Sequence, residues 1–348
     1  MQRRAYLALS AAFLAGCGTG PSPETTTSTT PTETTETPTE TTEEPTETTE
    51  TPETETPDPD AAAAIETAER RLVAAAEAYA GYGSGGRQTF LDVTAGTTNF
   101  ETDAIDTELD AAREALDEAG GTATEDQQAT VTLLREAVTF LDEVSSAQLE
   151  LQDGYQDYTT AWELVYYTQS AANRIDDVRQ AFESARPHLS ALESETTPES
   201  ADATAAYTRE TYEAKVAQIR AEMRTYELAA AHFVPYEESL DELSSAVNQY
   251  DRSKWQRASE LFGSVTETYD AIVADIGEFE APEPLDEQFA VFSCDVDALA
   301  RGCDLLAQSA TARANDERDR GEELRREAKP VFEECGTLDR VSVLKKLY

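Results

Sequence analysis

Three observations predict an all-α protein. Apolar residues recur at alternating steps of three and four through most of residues 61–348. That spacing is the seam of helices packed nearly parallel or antiparallel. The breaks between stripes are short and rich in Gly, Pro or polar residues, so neighbouring helices are expected to form antiparallel hairpins. Outside the ambiguous stretch 90–100, no segment alternates with the period of a strand. The expected architecture is a bundle or short α-solenoid of helix hairpins, preceded by a disordered linker. The expected organisation is 1–16, 17–60, a first helical half at 61–192 and a second at 199–348.

The chain opens with Arg3-Arg4, an apolar run from Ala8 to Leu14, and then Ala15-Gly16-Cys17. The run is too short for a bilayer span, which needs about 20 apolar residues. The paired arginines before a short apolar segment resemble a twin-arginine export signal, and Leu14-Ala15-Gly16-Cys17 resembles the lipobox of exported lipoproteins. The resemblance implies a signal peptide at 1–16, cleavage before Cys17, and a lipid on its thiol. The membrane is then a partner through Cys17, with the rest of the chain on the extracellular face. One acyl chain alone anchors weakly and no basic patch stands nearby, so a multi-chain lipid is implied.

Residues 21–60 hold 18 Thr, 10 Glu, 8 Pro, 2 Ser and 2 Asp and nothing else. Without an apolar side chain, no core can offset the entropy of ordering. Like charges and prolines extend such a chain, which could reach ~120 Å at ~3.1 Å per residue. An O-glycosylated stalk and a plain linker both fit this composition.

The helical elements follow in order. Asp60 can cap a first helix from Ala61 to about Ala80, ended by Gly81. Ile105, Leu109, Ala112 and Leu116 stripe a second, stopped by Gly120-Gly121. Thr124-x-x-Gln127 is a capping box for a third, with Val131, Leu134, Val138, Leu141 and Val144 in line. A fourth is expected to carry Tyr158, Trp162, Val165, Ala172, Ile175, Val178 and Phe182 and to end near Pro187. Thr197-Pro198 is placed to start another. The most regular stripe is Tyr212, Val216, Ile219, Met223, Tyr226, Ala230 and Phe233, with Pro235 expected to kink or restart the helix. Ser253 then caps a helix from Trp255 to Phe279, and a turn at Pro282–Pro284 leads to one with Phe289, Phe292, Val296, Leu299, Cys303 and Leu306.

Leu-Asp-Glu-Val-Ser-Ser-Ala at 141–147 is echoed by Leu-Asp-Glu-Leu-Ser-Ser-Ala at 240–246, which suggests duplication. Trp255-x-x-Ala258-x-x-x-Phe262 resembles the second-helix core of a tetratricopeptide repeat, although the first-helix signature is absent.

Charge excludes one class of partner. Residues 61–348 carry 58 acidic and 25 basic side chains, a net of −33, and the whole chain has five lysines. Nucleic-acid binding needs a basic face, so none is expected. This acid-rich, lysine-poor composition resembles that of proteins from salt-loving archaea, where strong salt screens self-repulsion.

Catalytic motifs are missing. His188 and His232 stand alone, and neither a His-Glu-x-x-His nor a Gly-x-Ser-x-Gly occurs. Gly81-Tyr-Gly-Ser-Gly-Gly86-Arg87 lacks the lysine and the preceding strand of a phosphate loop. No enzyme, cofactor or metal is expected. Three cysteines follow Cys17, so three free thiols or one bond are both open. On one helix, Cys294 and Cys303 would lie roughly 13.5 Å apart, beyond the about 7 Å that a disulfide allows between Cα atoms. A turn near Gly321 would bring Cys335 back beside Cys303, making Cys303–Cys335 the expected pair, with Pro330 expected to end that returning helix early. The function expected is that of a lipid-anchored cell-surface module binding another protein; the alternative is a solute-capturing lipoprotein assisting transport.

Overall fold

The computed structural model describes residues 56–83, 88–166 and 171–348. Among them there is no strand, and the chain is all-α. The helices are α1 (Pro59–Ala80), α2 (Asp103–Thr122), α3 (Glu125–Tyr166), α4 (Ala172–Glu195), α5 (Arg209–Asp251), α6 (Trp255–Ile276), α7 (Asp286–Ala314), α8 (Arg318–Glu334) and the short α9 (Thr337–Arg340). The stretch 90–100 is a strap containing a 3-10 turn, Phe90–Asp92.

Local chemistry sets the helix ends. Asp58, not Asp60, caps α1: its Oδ1 accepts from the N–H groups of Asp60 and Ala61, and Pro59 occupies the first turn. Gln127 accepts the Thr124 N–H, half of the expected capping box, and its amide donates to the Asp58 carbonyl. Three prolines expected to end or break helices lie inside them: Pro187 in α4, Pro235 in α5 and Pro330 in α8. An interior proline costs about 3 kcal/mol. Buried side chains on both sides of each offset that cost: Ala185 and Leu192, Phe233 and Tyr236, Ala328 and Phe332. The expected fourth helix is likewise divided differently, since Tyr158 and Trp162 end α3 while Ile175, Val178 and Phe182 belong to α4; the side chain of Val165 lies outside the described residues.

Consecutive helices run antiparallel. Arg71–Glu108 joins α1 to α2, Arg113–Asp142 joins α2 to α3, and Arg174–Asp157 and His188–Glu143 join α4 to α3. Arg220–Glu193 crosses α4 and α5, and Ser264–Glu242 crosses α5 and α6. The two longest helices, α3 and α5, are roughly 63 and 65 Å long and run parallel. Phe140 meets Tyr212, Lys215 meets Gln148, Tyr226 donates to the Leu151 carbonyl, and Trp162 meets Phe233. One buried apolar cluster runs from Ala64 to Leu347 among the described residues, which form one compact unit. Its two ends are divided across α3 and α5 rather than along the chain. α1 and α2 pack near the start of α3, whereas Trp162 and Tyr158 at its end reach Phe292 and the Leu285 carbonyl. The echoed heptapeptides fall near the middle of α3 and late in α5, so they do not occupy equivalent positions.

The expected Cys303–Cys335 bond is corrected. The disulfide joins Cys294 to Cys335, with Cα atoms 5.7 Å apart, and Cys303 is a free buried thiol. The cause is the hairpin turn. It falls at 315–317, where Asp316 has φ of +65°, and not at Gly321. Moving a hairpin turn by about five residues moves the facing residue by about ten, which carries Cys335 past Cys303 to Cys294.

Candidate functional site

The strap between α1 and α2 builds one wall of an open groove. Val73, Ala76 and Ala80 of α1 face Phe90 and Leu91 of the strap, with Ala205–Thr208 and Ala214 of α5 closing the other side, around a volume of about 630 Å³. Small residues line much of it, leaving room for a chain to approach closely. Leu91 is 41% exposed, and it and Tyr348 are the exposed large hydrophobics among the described residues. Among the described residues, the charged ones on the lining are Glu77 and Glu210, with no Lys or Arg.

Beneath the groove lies a buried polar lattice. Phe90 stacks on Tyr79 at 4.3 Å, and Phe100 meets the same ring edge-on at 5.5 Å. The amine of Lys215 lies 5.3 Å from the Tyr79 ring centroid. Lys215 is one of the five lysines and has no exposed surface. Its Nζ donates to the Val93 carbonyl at 2.6 Å, to Gln148 Oε1 at 3.1 Å and to Gln218 Oε1 at 3.4 Å. The Gln218 amide donates in turn to the Val93 carbonyl and to Glu222 Oε1, both at 3.0 Å. Glu222 is equally buried, with the Ala95 backbone N–H beside it and no hydrogen-bond partner on its Oε2. Burial pushes the Lys215 amine down to about 8, partly offset by Glu222. Burial also raises the Glu222 carboxyl and the Tyr79 phenol.

The residues singled out by sequence are distributed elsewhere. Arg3, Arg4 and Cys17 lie outside the described residues, as do residues 84–87 of the glycine-rich stretch. Cys335 is tied to Cys294, and burial raises the Cys303 thiol well above its ordinary value, leaving it unreactive. His188 pairs with Glu143 at 2.7 Å and His232 with Asp275 at 2.5 Å. No group of metal-ligating side chains clusters among the described residues. Sequence reasoning missed the Lys215 lattice, although a signal was present. Lys215, Gln218 and Glu222 sit at positions i, i+3 and i+7, among the stripe residues Tyr212, Val216, Ile219, Met223 and Tyr226. A lysine and a glutamate on an apolar stripe must be satisfied internally.

The groove is open, so it can seat a chain segment; the lattice is sealed, so it can exchange protons but not bind a large ligand. Fold and site together define an all-α protein of helix hairpins with an apolar surface groove. No protein-family model, curated protein or solved structure matches the chain.

Proposed function

We propose that the chain is a lipid-anchored cell-surface module that docks another protein in the Leu91 groove. The resemblance of the leader to an export signal and the lipobox-like Cys17 support anchoring at the extracellular face, and residues 21–57 supply a long tether. The acidic composition suits work in strong salt. The observation that carries the docking reading is the groove itself, apolar at its floor, open, and edged by Leu91. Solute capture asks for a pocket that encloses its ligand, and an open groove supports docking instead. Glu77 and Glu210 at the groove, on a body of charge −33, select the occupant by charge: an apolar segment of a partner protein flanked by Lys or Arg. The groove also lies near the end of α1 opposite to Asp58, roughly 22–33 Å along the helix.

The test is a photo-crosslinking residue placed at Leu91 in cells or membranes kept in molar salt, with exposed Gln256 on α6 as the comparison site. The expected result is an adduct from position 91, mapped to an apolar, basic-flanked segment and lost when Ala214→Trp fills the groove. Equal labelling from position 256, or adducts unaffected by Ala214→Trp, would overturn the proposal. An adduct between two copies of this chain would replace the partner by self-association.

A further inference from the structure

The strap is fixed to α5 by very few polar bonds, and they end on two side chains. The Val93 carbonyl takes both Lys215 and Gln218, and Glu222 lies beside the Ala95 backbone N–H. Gln218 stands between the amine and the carboxylate, accepting from one and donating to the other. The rest of the strap is held by ring packing of Phe90 and Phe100 on Tyr79, by burial of Val93, Ala95 and Thr97, by Gly96 against Pro284 and Tyr155, and by the Phe100 N–H on Gln152 at 2.7 Å. Thr89 to Leu91, at one end of this strap, form the groove wall.

We propose that residues 89–100 are a proton-linked latch: the strap seats on α5 and lifts from it together with proton exchange at the buried Lys215–Glu222 pair. The groups facing the pair are few. Tyr79 of α1 and Tyr226 of α5 are buried phenols held in the neutral form by burial. Gln148 of α3 is uncharged, and the strap presents only the backbone of Val93 and Ala95. Lifting the strap hydrates both ions.

The sign follows from linkage. In the seat the amine titrates lower than in water, so seating releases a proton between about pH 8 and the ordinary lysine value, and rising pH favours it there. The seated carboxyl titrates higher than in water, so just above the ordinary glutamate value seating takes up a proton, and falling pH favours it. Opening is therefore greatest in the middle of the pH range and declines on both sides. Through the groove wall, this makes partner docking pH-dependent, a consequence that rests on the docking reading above; the latch itself does not.

Hydrogen exchange of the Ala95, Thr97 and Phe100 amides in the free full-length protein, corrected for intrinsic rates, decides the matter. Opening should fall by up to ~tenfold per pH unit above about pH 8, and should fall again toward acid. Lys215→Met should remove the alkaline arm and Glu222→Gln the acid arm. A flat profile in the wild type, or both arms surviving in both variants, overturns the latch. Should either variant fail to fold, lysine side-chain NMR of the wild type still decides, because only five lysines contribute. A buried amine that titrates well below the other four, over the same pH range in which exchange at Ala95 and Phe100 slows, supports the latch, and five ordinary titrations reject it. Since no partner is used, this result stands apart from the crosslinking outcome.

Discussion

Two helical glycines should respond to alanine with opposite signs. Gly302 in α7 lies under the ring of Phe332 in α8, which is fully buried. A Cβ at Gly302 would sit 2.2 Å from Cε1 and 2.3 Å from Cζ of that ring, far inside the ~3.5 Å at which carbon contacts are favourable. The aromatic ring is held by its neighbours, so α7 and α8 must move apart. Overpacking of this kind costs ~1–3 kcal/mol, against a gain of ~1 kcal/mol in helix propensity. The contact is severe enough for the steric cost to prevail. Gly302→Ala should lower the melting temperature, by roughly 2–8 °C for a net cost of ~1–2 kcal/mol. At Gly263 in α6 an added methyl would find nothing within 4 Å, so Gly263→Ala should gain ~0.5–1 kcal/mol. Calorimetry in molar salt with the disulfide intact measures both. Phe332→Leu should partly rescue Gly302→Ala in a double-mutant cycle. A Gly302→Ala protein as stable as the wild type would refute the α7–α8 register and, with it, the account of the disulfide.

Three other outcomes follow from the charge, the cysteines and the leader. Non-reducing peptide mapping should recover a Cys294–Cys335 crosslink with Cys303 free; breaking a bridge of sequence separation 41 should cost about 4 kcal/mol by loop entropy, and a Cys303 crosslink would contradict the hairpin turn at 315–317. With a net charge of −33 on residues 61–348, the melting temperature should fall on transfer from molar to millimolar salt; a value that does not move counts against self-repulsion. Cys17→Ser should release the protein to the medium or leave an uncleaved precursor, and Arg3 and Arg4 changed together to Lys should block export, both read by fractionation and immunoblotting; normal processing and retention would dismiss the lipid anchor.

The helices were legible because their stripes are long and regular. Tyr212 through Phe233 marked α5, and Ile105 through Leu116 marked α2. Boundaries were harder where a strong local signal met tertiary packing. Pro187, Pro235 and Pro330 read as ends or breaks, yet each lies between buried side chains whose packing outweighs the lost backbone bond. The cysteine partner was missed through one quantity, the position of a turn, and a hairpin doubles that error. Gly321 drew the turn because it is a glycine, but it is buried beside Arg313 and the Ser309 carbonyl; the turn instead uses Asp316 in the left-handed region. The Leu91 groove was not visible, since it gathers residues from α1, the strap and the approach to α5 that lie over a hundred positions apart.

Stability alone is a poor reason for a lysine in the Lys215 position. Taking an amine and a carboxylate out of water costs several kcal/mol per ion, and an apolar pair of similar volume often does as well or better. What methionine cannot supply is a set of donors aimed at two different elements at once. α3 and α5 present long stripes of similar spacing, and a slide of one heptad would still bring apolar residues together. The polar ties do not survive such a slide. Lys215 needs Gln148, and the Tyr226 hydroxyl needs the Leu151 carbonyl at 2.7 Å. Each would leave buried polar atoms unpaired in any other register, at ~1–3 kcal/mol apiece. Setting the register is the best-attested use of buried polar groups between helices. The lattice under the groove thus fixes where α3 and α5 stand relative to each other, and the strap, hung on Lys215 and Gln218, takes its position from that register.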